Sequence, residues 1–278
     1  MPLKMKYFLY IFLLLITPCL KSAEITFKAK DTGFSDTPHG VPNGDYVIYL
    51  SGKIEQKDVI EFQKTLKKIS SQVKTESNNA MDRMLILNSG GGSVSSAIKI
   101  GELIRKNKMF VVVREQEKCF SSCVYLLAAG VIRWPLGNIG IHRPYFESKP
   151  GIGYDQGVKF ILDSSRNYFK EMNIPEQLAD EMFSIDPGDM RILEENDLLK
   201  YRLNKYDIAH SEELSIENSK LYGISRQEYE RRLKLSEHYY MECRKKYTEN
   251  YAESKDDISK IIIICKNFSY KKAGLSLK

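Results

Sequence analysis

Along the first half of the chain, continuous apolar runs alternate with stretches whose apolar positions recur at helical spacing. Tyr46-Val47-Ile48-Tyr49-Leu50 is unbroken and ends at Gly52, and Val59, Phe62, Leu66, Ile69 and Val73 then follow at intervals of three and four. A polar break over Ser70 to Asn79 closes this unit. Met84-Leu85-Ile86-Leu87 passes through Asn88-Ser89-Gly90-Gly91-Gly92-Ser93 into Val94, Ala97, Ile98, Gly101 and Ile104 on one helical face. Met109-Phe110-Val111-Val112-Val113 precedes Cys119-Phe120-Ser121-Ser122-Cys123, which opens the apolar helix Val124 to Ala129 and stops at Gly130. Unbroken apolar runs bounded by turn residues read as strands buried on both faces, and the 3.6-residue period reads as amphipathic helix. The order β-α-β-α-β-α predicts an α/β fold with a largely parallel sheet and helices on its faces.

Downstream, Val131 to Trp134 and Ile139 to His142 form two short strands across the turn Pro135 to Asn138. A loop containing Pro150 and Gly151 follows the histidine. Helical patterns then cover 155–172 and 175–183, Ser184 to Asp189 is a turn, and Leu193, Leu198 and Leu199 begin another helix. Residues 24–45 are polar and turn-rich, suiting a loop or edge strand. Beyond residue 210 the composition shifts to a charged helix (225–247) and a lysine-rich tail. The chain divides into a targeting segment (1–23), an α/β domain (24–209) and a charged helical C-terminal extension (210–278).

Lys4 and Lys6 precede an apolar run from Tyr7 to Leu20 that is shorter than the about 20 residues of a membrane-spanning helix. This is the layout of a signal peptide or an uncleaved N-terminal anchor, the latter associating the chain with a membrane. Cys19 after Pro18 makes a weak lipoprotein signal, and Lys21 spoils a small-x-small cleavage site. Each version places the rest of the chain outside the cytoplasm, most simply in a periplasm. Cys119, Cys123, Cys243 and Cys265 are then disulfide candidates with three connectivities, and free buried thiols are the alternative. Cys243–Cys265 is favoured, tying a C-terminal helix to the strand-like Ile261 to Ile264. A Cys119–Cys123 bond would need a non-helical elbow, since helical i, i+4 vectors fit disulfide geometry poorly. The formal net charge of +6 falls to +3 without Lys4, Lys6 and Lys21, and the basic residues are interspersed with acidic ones. Nucleic-acid binding has no support.

Two strand–turn–helix junctions present backbone N–H groups to negative charge. Ser121 on the second can be a nucleophile if a base takes its proton and donors meet the oxyanion. His142 is the candidate base, Asp189 the orienting carboxylate, and the glycine turn a source of donors. Taken singly, each residue has an ordinary structural role: helix cap for Ser121, Ser122 or Asp189, and packed strand residue for His142.

The chain order Ser, His, Asp differs from chymotrypsin-like enzymes, subtilisins and α/β-hydrolases, and no G-x-S-x-G elbow is present. The stretch from Leu85 to Pro144 resembles the proteolytic subunit of the Clp protease, in the Clp/crotonase superfamily. Asn88-Ser89-Gly90-Gly91-Gly92 matches that family's N-S-P-G-G turn, Ser121 lies the family's distance before Gly130, and His142-Arg143-Pro144 matches its H-x-P segment. The C-x-S-x-C surround is similar to a group of exported Clp-like proteins. The resemblance implies a Clp/crotonase-type spiral of βαβ units, a peptide or protein substrate, and a homo-oligomer. By transfer, Ser121 is the nucleophile, His142 the general base, Gly91 and Ser122 supply the oxyanion N–H groups, and Asp189 (or Asp186) completes the triad. No cofactor or metal is implied. Gly90 replaces the family's proline, Cys119, Phe120 and Cys123 replace small residues around the serine, and the C-terminal extension has no counterpart.

The expected activity is that of an exported, ATP-independent serine peptidase acting on peptides or unfolded segments, since an exported chain has no cytosolic ATPase to feed it. Three rivals stand beside it. An acyl-thioester enzyme of the same fold would need coenzyme A, which is cytosolic. A Ser–Lys dyad would need Lys159 or Lys170 beside Ser121. A non-catalytic binding or assembly protein would use the charged helix 225–247 for contacts.

Overall fold

The computed structural model describes residues 23–29, 46–72, 80–145, 154–204, 206–251 and 255–275. Residues 1–22 of the expected targeting segment (1–23) and the loop after Tyr145 lie outside the described residues. Five strands form the main sheet in the order β1-β2-β3-β4-β6. They are β1 (Glu24–Ala29), β2 (Tyr46–Ser51), β3 (Arg83–Asn88), β4 (Phe110–Val113) and β6 (Ile132–Pro135). β2, β3, β4 and β6 are mutually parallel, as the unbroken apolar runs predict, with Leu50 beside Leu87 and Ile86 beside Val112. β1 is the antiparallel edge strand.

Successive strand residues point to opposite faces, and the two faces differ in what covers them. Ile48, Leu50, Leu85, Leu87, Val111 and Val113 join one large core with Phe62 of α1 (Gln56–Gln72), Ile100 and Ile104 of α2 (Val94–Lys106), and all of α3 (Cys123–Ala129). Val47, Met84, Ile86, Phe110 and Val112 face a small cluster completed by Ala80, Val131 and Ile132, with Trp134 stacked on Phe110. Helices on both faces were the expectation; among the described residues α1, α2 and α3 all pack on one. The sequence pattern could not separate these outcomes, because the small cluster supplies enough apolar cover for the second face to read as buried.

The strands expected on either side of Pro135 form, but not as a hairpin. β6 stays in the main sheet, while β7 (Asn138–Ile141) pairs with β5 (Lys118–Phe120) in parallel and with β8 (Arg191–Ile192) antiparallel. A single bridge between Ser89 and Cys119 joins the two sheets. Helices α4 (Tyr154–Glu171), α5 (Gln177–Ser184) and α6 (Glu195–Lys200) follow, and Leu193 immediately follows β8 rather than opening a helix.

The C-terminal extension comprises α7 (Ile208–Leu221), α8 (Arg226–Tyr251) and α9 (Lys255–Lys272). The expected strand at Ile261 to Ile264 is wrong: these residues lie within α9. Ile261 and Cys265, one helical turn apart, are buried against Cys243 of α8, so packing overrides the strand preference of β-branched residues. The Cys243–Cys265 disulfide therefore joins helix to helix. Asp207 fixes this extension to the α/β domain. Its carboxylate, 2 % exposed, lies 3.1 Å from Arg105 and 3.4 Å from Arg133, and it caps α7 through the His210 N–H. Among the described residues no helix is long and apolar enough to cross a membrane.

Candidate active site

Parallel strands bring their carboxyl ends to one side, where open α/β sheets bind ligands. β3 ends at Asn88, β5 at Phe120 and β7 at Ile141, so the glycine turn, Ser121 and His142 each follow a strand end. The seam between the sheets is closed by backbone bonds. Ser89 N–H donates to Lys118 (2.8 Å) and Phe120 N–H to Ser89 (3.0 Å), while Ser121 N–H donates to Gly140 (2.8 Å) in continuation of the β5–β7 pairing.

Ser121 occupies the left-handed region at φ 55° and is 9 % exposed. That conformation costs a non-glycine residue about 1–2 kcal/mol and persists where its surroundings dictate it. The Cys119–Cys123 disulfide brackets the residue, with Cα atoms 5.1 Å apart, across the non-helical elbow that such a bond requires. Gly91, at φ 94°, meets this elbow backbone to backbone. A Cβ there would lie 2.7 Å from Phe120 O, 2.7 Å from Ser121 Cβ and 3.0 Å from Ser122 N. The two junctions singled out from sequence are thus in contact.

The two expected oxyanion donors differ in what they already bond. The Gly91 N–H donates to Ser89 Oγ (3.0 Å), which in turn donates to Gly52 O (2.6 Å). The Ser122 N–H, at the start of α3, has no hydrogen-bond partner among the described residues, and Ser122 Oγ is buried without one. Of the two expected donors, one is therefore occupied internally and one is free.

His142 is 5 % exposed and its Nδ1 lies 2.7 Å from Arg143 O. A carbonyl only accepts, so Nδ1 carries a proton, and in the neutral imidazole Nε2 is then the acceptor. The Tyr145 ring meets the imidazole edge-on at 5.5 Å. No hydrogen bond joins Ser121 Oγ to His142 in this structure. Asp186 pairs with Arg143 (3.0 Å), Asp189 is exposed on the same turn, and neither carboxylate is hydrogen-bonded to His142. Lys159 and Lys170 are both exposed on α4. Among the described residues no cluster of three or more His, Cys, Asp or Glu could hold a metal ion.

No family model and no curated protein matches the chain. A solved ClpP1 structure is similar. That chain, a mutant from Listeria monocytogenes, shares 18% identity over 57% of this chain and 88% of its own, with a TM-score of 0.43.

Two residues have roles at the site that the sequence did not assign. Ser89, 1 % exposed, is the hydroxyl that holds the glycine turn to the end of β2. Gly140 accepts from Ser121 and packs so closely that a Cβ would lie 2.7 Å from the Phe120 ring. A lone glycine inside an apolar strand signals such an approach; Ser89 falls in the turn match, but nothing in the local sequence assigns its hydroxyl this bond.

Proposed function

We propose that this chain is a serine hydrolase of the Clp/crotonase type, exported and independent of ATP, cleaving peptides or unfolded protein segments. One observation carries the reading: Ser121 is held at φ 55° at a strand–helix elbow, with the glycine turn abutting it and His142 following the neighbouring strand. An ordinary helix cap needs none of this.

In the proposed mechanism substrate binding draws His142 Nε2 to Ser121 Oγ, a bond that free enzymes often leave long. Nε2 takes the hydroxyl proton as Oγ attacks the peptide carbonyl. The Ser122 N–H stabilises the oxyanion, joined by the Gly91 N–H when it turns from Ser89 Oγ to the substrate. His142 then protonates the leaving amine, and water, activated by the same nitrogen, releases the acyl group. The Arg143 carbonyl fixes the tautomer, leaving Asp189, or Asp186 beside it, to support the imidazolium as charge develops.

The test is labelling of the purified protein with an alkyl fluorophosphonate. Labelling at Ser121, lost in Ser121→Ala and reduced at least 100-fold in His142→Ala, is expected. An unlabelled wild-type protein sinks the catalytic claim. A binding or assembly role is the second reading, favoured by one observation, the Gly91 N–H already spent on Ser89.

A further inference from the structure

We propose that the Cys119–Cys123 disulfide holds Ser121 in its left-handed, reactive conformation, so that both cysteines are positioning residues for the serine chemistry; the inference rests on the hydrolase reading above.

The need for such a device follows from the helix that begins beside the serine. Ser122 already has helical angles (φ −63°, ψ −14°) and makes no side-chain capping bond. Nothing in the first turn of α3 prevents the helix from growing backward through Ser121. Right-handed angles there would remove the left-handed penalty and carry Oγ away from the seam. The Ser121 N–H bond to Gly140 fixes where the residue sits but leaves its φ free to change sign.

The disulfide opposes this growth. Four residues of α-helix rise about 6 Å, whereas Cys119 and Cys123 have Cα atoms 5.1 Å apart. Side chains four apart on a helix also point in nearly the same direction, a poor arrangement for a bond between them. With the sulfurs joined, the intervening residues must turn by another path, and a left-handed Ser121 supplies it. The bond also spans the whole junction, from strand β5 to the first residue of α3. Cys119 is the residue bridged to Ser89, so the same covalent link registers the elbow against the glycine turn. Both cysteines are fully buried, which shields the bond from thiol exchange and marks it as a brace rather than a labile switch.

The experiment compares wild type with Cys119→Ala/Cys123→Ala, using two readouts. The first is the Ser121 Cα and Cβ chemical shift, read together with the three-bond couplings about its N–Cα bond, which report the sign of φ without any activity. The second is fluorophosphonate labelling, resolved into its maximal rate and half-saturating concentration. Expected are a move of the Ser121 shifts to helical values and a maximal rate about 100-fold lower. The half-saturating concentration should stay unchanged, a split that general loss of structure would not give. Cys243→Ala/Cys265→Ala should move neither readout.

If the first variant does not fold, the Cys243→Ala/Cys265→Ala protein, whose one remaining disulfide among the described residues flanks Ser121, is held in a water-soluble phosphine until transient opening of the buried bond lets mass spectrometry record it as reduced. The phosphine is oxidised to its oxide with oxygen from water, and the disulfide gains two electrons and two protons. Left-handed Ser121 shifts with the bond open overturn the proposal, whether or not the protein labels. An unlabelled wild type whose Ser121 shifts still follow the bond overturns the hydrolase reading and leaves the brace as structure alone.

Discussion

Replacing Asp207 by Ala should cost about 4 kcal/mol of folding stability, more than an ordinary surface carboxylate. The residue is almost wholly buried and faces Arg105 at 3.1 Å and Arg133 at 3.4 Å, while Asn173 donates to it at 3.0 Å. Arg133, with a side chain 1 % exposed, spends its other donors on the carbonyls of Ala128, Arg202 and Met172. Removing the carboxylate strands this buried guanidinium, and breaking a buried pair from one side costs about 3–5 kcal/mol. The lost α7 cap falls within that sum at about 1 kcal/mol. Asp207→Asn keeps the cap and removes only the charge, so about 3 kcal/mol is expected. Burial pushes the Asp207 carboxyl up, but Arg105, the Asn173 and His210 N–H donors, and Arg133 together hold it below its ordinary value. A depressed folded pKa means stability present above about pH 4, the unfolded value, and lost as pH falls through the folded one. Urea unfolding followed by circular dichroism at pH 7 and near pH 2.5 would read both effects. The gap between wild type and Asp207→Asn should narrow at the lower pH. A loss below about 1 kcal/mol for Asp207→Ala at pH 7, or a gap independent of pH, would refute the reasoning.

Gly91→Ala should abolish labelling of Ser121 and destabilise the fold by about 1–3 kcal/mol, since the new Cβ strikes Ser121 and the backbone is left-handed; normal labelling by this variant would separate the glycine turn from the site. Gly101→Ala, whose methyl would collide with the buried Tyr168 hydroxyl, should lower stability by about 1–3 kcal/mol in chemical denaturation without entering the site. Opening the Cys243–Cys265 bond, which closes a separation of 22 residues, should cost about 3 kcal/mol in the stability of α8 and α9. Hydrogen exchange there should quicken while the Ser121 seam stays protected. Asp189→Asn and Asp186→Asn, compared by maximal labelling rate, identify the supporting carboxylate as the one whose loss slows the reaction at least tenfold.

The parallel core was legible because unbroken runs such as Met84 to Leu87 and Met109 to Val113 have few other solutions. The meeting of the two junctions was implied only by the family resemblance, because the second follows β5 (Lys118–Phe120), a short strand that no apolar run marks and that lies in the other sheet. What escaped depended on contacts between distant residues. Ile261 to Ile264 carries strand-forming side chains, yet their helical register with Cys265 matters only once α8 lies alongside. The split of β6 and β7 into separate sheets turns on the bridge from Cys119 to Ser89, thirty positions back in sequence. At the site itself, Ser121 and His142 stood out by residue type and order, whereas the use of the Gly91 N–H by Ser89 is a choice among hydrogen-bond partners that no local pattern encodes.

The two disulfides also have a consequence for how the chain can be oxidised. Cys119 pairs with Cys123 and Cys243 with Cys265, so each bond joins neighbours in the order of synthesis. Short loops close at low entropic cost. Under the proposed export, an oxidase meeting the chain N-terminus first would find Cys119 and Cys123 together, with Cys243 still more than a hundred residues behind. Sequential pairing is therefore the kinetically favoured outcome, and bonds crossed between the two pairs are disfavoured.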